Sequence, residues 1–355
     1  MIYLDHAAHT MADPAVLAEF CRIEREFTAN PLSAHGAGQA AKAELSRITE
    51  ATARLLAARP DEVIFTSSAS EANDLAIKGH AHAQRHKGKH IISTALEHPS
   101  VNSPLATLQN TGYEVEMVDI LPNAIIDLEH LAALLRRDTI LLCISWVDSE
   151  LGAIQPISEI CKLLETYPNC RLHVDAAQAA GKIPISPFSD KGLDSLSISP
   201  HKFNGLSGSG ILLRREASII RSGTPALALA ASACKALELS LTHLEERYEK
   251  VKSLRDYAIK DIKARINSPA DGSPYILNLS IAGKKGTEVQ AALSENLVNI
   301  SVKSACSSPG TPSRAVYAVT RDKKNAMQSF RVSFSHTTEF SELDAFKELI
   351  ANSIH

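Results

Sequence analysis

The 355-residue sequence predicts an α/β fold: a mainly parallel central sheet with helices on both faces, followed by a smaller α+β unit toward the C-terminus. Three observations carry the prediction. From residue 63 to residue 174, short apolar runs alternate with helical stretches of about ten residues, the pattern of parallel strands joined by crossover helices. Beyond Asn267 the texture changes to a compact mixture of strands and helices. The chain also exceeds the roughly 250 to 300 residues that one core serves, so two domains are expected. We place the large one at 14–250 and form the small one from 1–13 with 251–355.

Taken in order, residues 1–10 read as a short extended segment, with Tyr3-Leu4-Asp5 entering a small-residue turn. A helix from Ala15 to Phe27 stops near Asn30-Pro31, and a small-residue loop leads into an amphipathic helix from Ala40 to Ala58, closed by Pro60. Strand Val63 to Thr66 runs directly into S-S-A-S-E-A-N-D-L-A-I-K, a loop and helix start. Next come strand His90 to Thr94, helix Pro99 to Leu108, strand Val115 to Val118, helix Leu128 to Arg136 and strand Ile140 to Val147. Helix Ile157 to Leu164 and strand Leu172 to Val174 follow, then apolar runs at Leu196 to Ile198 and Ile211 to Leu213. A long helical tract from Ala226 to about Arg265 has a break expected near Thr242-His243. The C-terminal unit reads as strand Tyr275 to Ile281, helix Glu288 to Leu297, strand Ile300 to Val302, helix Ser313 to Val319, strand Phe330 to Phe334 and helix Ser341 to Ile350.

Composition excludes several functions. A formal net charge of -3 gives no electrostatic case for nucleic acid or an anionic membrane as partner, and the basic pairs Arg214-Arg215 and Lys284-Lys285 read as solvated strand ends or turns. No apolar run approaches the ~20 residues of a membrane span, and the N-terminal residues do not form a secretory signal, so a cytoplasmic location is expected. The six cysteines are scattered without a C-x-x-C pair, which argues against zinc and disulfide frameworks.

The chemistry centres on S-I-S-P-H-K-F-N-G-L-S-G-S-G, where Lys202 follows a strand beside hydroxyls and glycines. Lysine forms Schiff bases once its amine is desolvated, yet a lone lysine after a strand is most often a solvated one. Upstream, R-L-H-V-D-A-A-Q delivers Asp175 at a strand end and Gln178 three positions later. Pyridoxal phosphate (PLP) needs a carboxylate against its ring nitrogen, and an Asp and a Lys on neighbouring strand ends supply both. By itself Asp175 could equally be a helix cap. Likewise, Ser67 to Ser70 could cradle a phosphate at a helix start or simply form a capping box. Ser67 to Ser70, His98, Asp148 to Glu150, Asp175 and Lys202 all follow strands, where α/β sheets bind ligands. Cys143 and Cys161 sit on apolar elements as small core residues, whereas Cys306, in S-A-C-S-S-P-G-T-P, is an expected exposed thiol.

With Y-L-D-H-A-A, N-P-L-S-A-H-G-A-G, D-E-V-I-F-T-S-S-A-S-E-A-N, S-E-L-G-A-I-Q-P-I, H-V-D-A-A-Q-A-A-G-K, S-P-H-K, R-S-G-T, S-A-C-S-S and R-V-S-F in this order, the chain resembles the cysteine desulfurases of the class V aminotransferase group, the NifS and IscS type. The resemblance runs over nearly the whole length. It implies the fold type I of PLP-dependent transferases and release of alanine from L-cysteine with sulfur kept as an enzyme persulfide. Lys202 would hold PLP and move the substrate α-proton, Asp175 would pair with the ring nitrogen, Gln178 would reach the ring oxygen, and His98 would stack on the ring and serve in catalysis. Ser149 would stand near that oxygen, where the family usually has asparagine. Ala69, Ser70, Ser199 and His201 would hold the phosphate, with Thr224 contributing from the other subunit of a homodimer. Arg331 would bind the substrate carboxylate, and Cys306 would take the sulfur and pass it to an acceptor protein, for iron-sulfur cluster assembly, tRNA thiolation or another use. Selenocysteine lyase is the sibling reading. A catalytically impaired binding or regulatory protein is the reading from another class, because only Glu216 to Ile220 separates Arg215 from Arg221, where the family carries a longer Gly-rich stretch.

Overall fold

The computed structural model describes residues 1–185, 188, 192–303 and 310–352. In chain order it contains β1 (Ile2–Tyr3), α1 (Pro14–Glu26), α2 (Gly36–Leu55), β2 (Val63–Thr66), α3 (Ala69–Gln84), β3 (His90–Thr94), α4 (Pro99–Gln109), β4 (Glu114–Val118), α5 (Leu128–Leu134), β5 (Thr139–Ser145), α6 (Ile157–Leu164), β6 (Arg171–Asp175), β7 (Ser195–Ile198) and β8 (Gly210–Arg214). There follow α7 (Leu227–Thr242), α8 (Leu244–Ile259), β9 (Arg265–Ile266), β10 (Ile276–Ser280), α9 (Gly286–Glu295), β11 (Val298–Asn299), α10 (Arg314–Thr320), α11 (Lys323–Gln328), β12 (Ser329–Ser333) and α12 (Phe340–Asn352).

The central sheet has seven strands in the order β2-β8-β7-β6-β5-β3-β4, and β8 alone runs against its neighbours. This is the mainly parallel sheet that the alternating pattern predicts. Strand β5 is buried at every position, which explains why T-I-L-L-C-I-S is nearly continuous in apolar residues. Each such Leu or Ile contributes about 1.5–3 kcal/mol by leaving water. The register sets Ser145 of β5 beside Asp175 of β6 and Asp175 beside Ser197 of β7, so three polar residues line up at the C-terminal strand ends.

A three-stranded antiparallel sheet, β12-β10-β9, is built from the C-terminal third. The N-terminal arm joins the same region: β1 pairs in parallel with β11, and Asp5 bridges to Ser333. That arm then crosses to the turn after β7. Thr10 N donates to the His201 carbonyl at 3.0 Å, Asn204 N donates to Thr10 Oγ1 at 2.7 Å, and Asp13 N donates to the Asn204 carbonyl at 2.9 Å. No helix among the described residues is long and apolar enough to cross a membrane.

Some local expectations are corrected. Helix α2 begins at Gly36 rather than Ala40, because the His35 ring accepts from Gly38 N and caps a helix whose opening G-A-G carries glycines of low helix propensity. The long helical tract is divided at His243 and stops at Ile259, and Arg265 belongs to β9. Helix α11 is not predicted by periodicity; Asp322 caps it, accepting from Asn325 N. Arg215 is not a solvated strand end, since its guanidinium donates to the Leu193 and Phe188 carbonyls and lies over the Phe188 ring.

Strand β8 approaches the start of α3 closely at Gly210, where an added Cβ would lie 2.4 Å from the Ser68 carbonyl carbon and 2.5 Å from Thr66 Oγ1. The Ser68 backbone cannot yield, and the Thr66 hydroxyl is tied to the Ser68 carbonyl at 2.9 Å. Gly210→Ala is therefore expected to lower stability by about 1–3 kcal/mol, measured by urea unfolding against wild type.

Candidate active site

A cavity of about 290 Å³ opens at the C-terminal ends of the parallel strands. Lys202, Asp175, His98, Ser149, Gln178, Ser199, His201, Ala69, Ser70 and Arg331 all line it. One described site residue does not. Thr224 is exposed on the connector between β8 and α7 and does not line this cavity, and Cys306 lies outside the described residues.

Each residue is placed by its element. Pro200–Lys202 forms one tight turn after β7, and Lys202 Nζ donates to the Ala7 and Ala8 carbonyls at 2.7 and 2.6 Å. The N-terminal arm thus meets the lysine directly. Asp175 ends β6 and is 6% exposed; its carboxylate accepts from Ala177 N and from Asn73 Nδ2, both at 2.9 Å. Among the described residues no cation lies within ion-pair distance of it. Gln178 donates through Nε2 to the Ala7 carbonyl at 2.8 Å and accepts from Lys182 Nζ at 2.7 Å, which leaves one amide hydrogen for the cavity.

Helix α3 points its N-terminus at the same space. Ser68 caps it by accepting from Glu71 N, and Glu71 in turn accepts from Ser67 N and pairs with Arg221 at 2.9 Å. The first amides of the helix, at Ala69 and Ser70, have no carbonyl one turn back to receive them, so they offer an anion site. Ser199 Oγ and His201 Nδ1 are 3.1 Å apart on the opposite wall, and the His201 ring stacks on His9. His98 caps α4 through Nδ1, which accepts from Ser100 N at 3.1 Å.

Arg331, on β12, is 2% exposed at the far side of the cavity. Its guanidinium donates to the Ser149 carbonyl at 2.8 Å and to Asp5 Oδ1 at 2.9 Å, while its Nε is buried without a hydrogen-bond partner among the described residues. Asp5, Asn73, Ser100 and the Ala7 carbonyl are the functional positions that sequence reasoning missed. Asn73 did carry a signal: Asn73, Ala76, Ile77 and His80 share one helical face, which puts a polar amide on an inward stripe.

The donor set fits PLP. An amine, an uncompensated buried carboxylate, a helix N-terminus and a partly unpaired guanidinium surround one space large enough for a small molecule. These answer to an aldehyde, a protonated ring nitrogen, a phosphate and a carboxylate.

Burial shifts the ionisable groups around the site. It pushes His6 and His201 down to about 4 and His80 and His173 down to about 3. His336 also falls to about 4, and His98 is lowered, again through burial first. Burial raises Glu97 to about 7 against hydrogen bonds from Ser145 and Thr94, and raises Asp148 to about 7 with help from the Glu150 charge. Histidines held low contribute stability above pH ~6.5 that is lost as pH falls toward their folded values. The two raised acids act oppositely, adding stability as pH falls from about 7 toward their ordinary range. Among these groups the lowered histidines outnumber the raised acids. Unfolding free energy measured in urea should therefore fall from pH 6.5 to pH 4.5, and His173→Gln should flatten the slope by about 1.4 kcal/mol per pH unit.

The family described as Aminotransferase class-V matches residues 2–221. The chain is similar to a protein of Lactobacillus delbrueckii subsp. bulgaricus named NifS/IcsS protein homolog, 35% identical over 98% of this chain and 95% of the relative. It is also similar to cysteine desulfurase IscS of Dictyoglomus turgidum, 33% identical over 97% of this chain and 92% of the relative. A solved structure titled NIFS-LIKE PROTEIN superposes with a TM-score of 0.92 at 28% identity, covering 99% of each chain. Another, titled SspA in complex with cysteine, gives 0.82 at 28% identity over 94% of this chain and 99% of that one.

Proposed function

The chain belongs to the class-V aminotransferase family, and from that premise we propose that it is a PLP-dependent cysteine desulfurase, converting L-cysteine to L-alanine and keeping the sulfur as a persulfide. The observation that carries the reading is the cavity shared by the Lys202 amine and the Asp175 carboxylate, with Arg331 on its far side. The names of the relatives support it.

When bound, PLP supplies the electron sink for negative charge at the substrate α-carbon. Lys202 Nζ would hold the cofactor aldehyde and would carry the substrate α-proton; the Ala7 and Ala8 carbonyls accept from it and keep it aimed into the cavity. Asp175 would hold the proton on the ring nitrogen, and Gln178 would donate its remaining amide hydrogen to the ring oxygen, with Ser149 beside it. The Ala69 and Ser70 amides with Ser199 and His201 would receive the phosphate, and His98 would cover the ring; all of them line the cavity. The Arg331 Nε is the buried donor left for the substrate carboxylate, next to a charge already oriented by Asp5.

Sulfur transfer balances without an external oxidant. The thiolate of Cys306 attacks the substrate sulfur, the carbon-sulfur bond breaks as the sulfur-sulfur bond forms, and the carbon skeleton takes up the electron pair and a proton as alanine. The persulfide sulfur then passes to an acceptor protein, with iron-sulfur cluster assembly as one destination. We further propose a cytoplasmic homodimer divided into a large PLP-binding domain, 14–250, and a small domain, 1–13 with 251–355. An exposed Thr224 and an Ile220 that is 68% exposed lie on the connector through which a second copy would reach the phosphate.

The test mixes purified protein with L-cysteine and follows alanine together with enzyme-bound persulfide. Both should form in equal amounts in the first turnover. Cys306→Ser should bind PLP and cysteine yet accumulate no persulfide, and Arg331→Ala should raise KM for cysteine about ten- to hundredfold. Persulfide formed by Cys306→Ser at the wild-type rate would remove that thiol from its role.

A further inference from the structure

Behind the cavity wall a line of buried polar side chains runs from the middle of α3 to Asp175. His80 Nε2 lies 2.9 Å from Ser195 Oγ, and Ser195 Oγ lies 2.8 Å from His173 Nδ1. His173 Nε2 is 2.9 Å from Asn73 Oδ1, and Asn73 Nδ2 is 2.9 Å from both Asp175 Oδ2 and Ser100 Oγ. Ser100 Oγ completes the line at 2.8 Å from His98 Nδ1. His80, Ser195, His173 and Asn73 are fully buried.

Chemistry fixes where each proton sits. A carboxylate only accepts, so Asn73 turns its NH2 toward Asp175 and its oxygen toward His173. His173 must then donate through Nε2. As a neutral ring it accepts at Nδ1, from the Ser195 hydroxyl, which itself accepts from His80 Nε2. On the other branch the second Asn73 N–H goes to Ser100 Oγ, whose hydrogen goes to His98 Nδ1. The His98 proton is left on Nε2. Burial keeps His80 and His173 neutral, so the direction of the line does not reverse near neutral pH.

We infer that Asn73 is a positioning residue for the cofactor: one amide aims the Asp175 carboxylate and fixes the His98 ring, and His173 holds that amide in the single orientation that serves both. The inference rests on the PLP reading above. An N–H donated to a carboxylate stabilises its charged form and lowers its basicity, so the shared proton stays on the ring nitrogen rather than moving to Asp175. A flipped amide would set its oxygen against the carboxylate. His173, donating to that oxygen, prevents the flip.

The experiment uses full-length protein loaded with PLP labelled with 15N in the ring. It reads the ring-nitrogen resonance and the affinity of the apoprotein for PLP in wild type, Asn73→Leu, His173→Leu and His173→Gln. Asn73→Leu should weaken PLP binding about ten- to hundredfold and move the resonance toward the unprotonated ring. His173→Leu should move it the same way. His173→Gln carries an N–H able to reach the same amide oxygen and should restore the wild-type position. Folded leucine variants with wild-type resonance and affinity would overturn the inference by reducing the line to packing. If Asn73→Leu fails to fold, equal resonances in His173→Leu and His173→Gln overturn it alone. A wild-type protein that binds no PLP would overturn the functional reading and this inference with it.

Discussion

Asp175 carries a carboxylate into the interior at the end of β6, where its described partners are one side-chain amide and one backbone N–H. An uncompensated buried charge is costly, by several kcal/mol when nothing pairs it. Among the described residues the side-chain and backbone groups that donate to this carboxylate are neutral. Such an arrangement is stable when a cationic ligand completes it, and a protonated pyridine ring is such a ligand. The parallel register then decides what else can touch the ligand, since Ser145, Asp175 and Ser197 sit side by side and the turn carrying Lys202 leaves the next strand.

The N-terminal arm works as the other fixed wall. The Ala7 carbonyl accepts from both Lys202 and Gln178, and Asp5 pairs with Arg331 while accepting from Ser301 Oγ at 2.8 Å. A few residues therefore join the amine on the central sheet to the guanidinium on β12. Backbone carbonyls do the first half of this task, so side-chain identity at Ala7 and Ala8 matters mainly for size.

Much of this was legible in the sequence because strand ends and helix starts are marked by local chemistry. Asp175, Lys202, Ser70 and His98 could be read from a buried strand followed at once by a polar residue, and the structure brings them into one cavity. Asp5 was not legible as the partner of Arg331, because that pair spans nearly the whole chain and no local rule links its ends. The Ala7 carbonyl leaves no trace in a side-chain pattern. Asn73 lies within the motif S-S-A-S-E-A-N, and its inward direction depends on a helical phase that alanines hardly mark. The early start of α2 and the packing of half-buried Arg215 leave no mark in the sequence for a related reason: each depends on a tertiary acceptor or a histidine cap, and propensity alone registers neither. Cys306 lies outside the described residues, so its role rests on sequence and family.

A second buried amine sits close by. Lys182 donates to Gln178, and burial pushes its pKa well below the ordinary lysine value, a state in which it too could react with an aldehyde. The central claim is that Lys202, on the turn facing Asp175, is the amine that takes the cofactor. Reduction of the PLP-loaded protein with borohydride, followed by peptide mapping, separates the two. The account predicts the pyridoxyl group on the peptide that carries Lys202, and its appearance on the peptide that carries Lys182, or on neither, would contradict it.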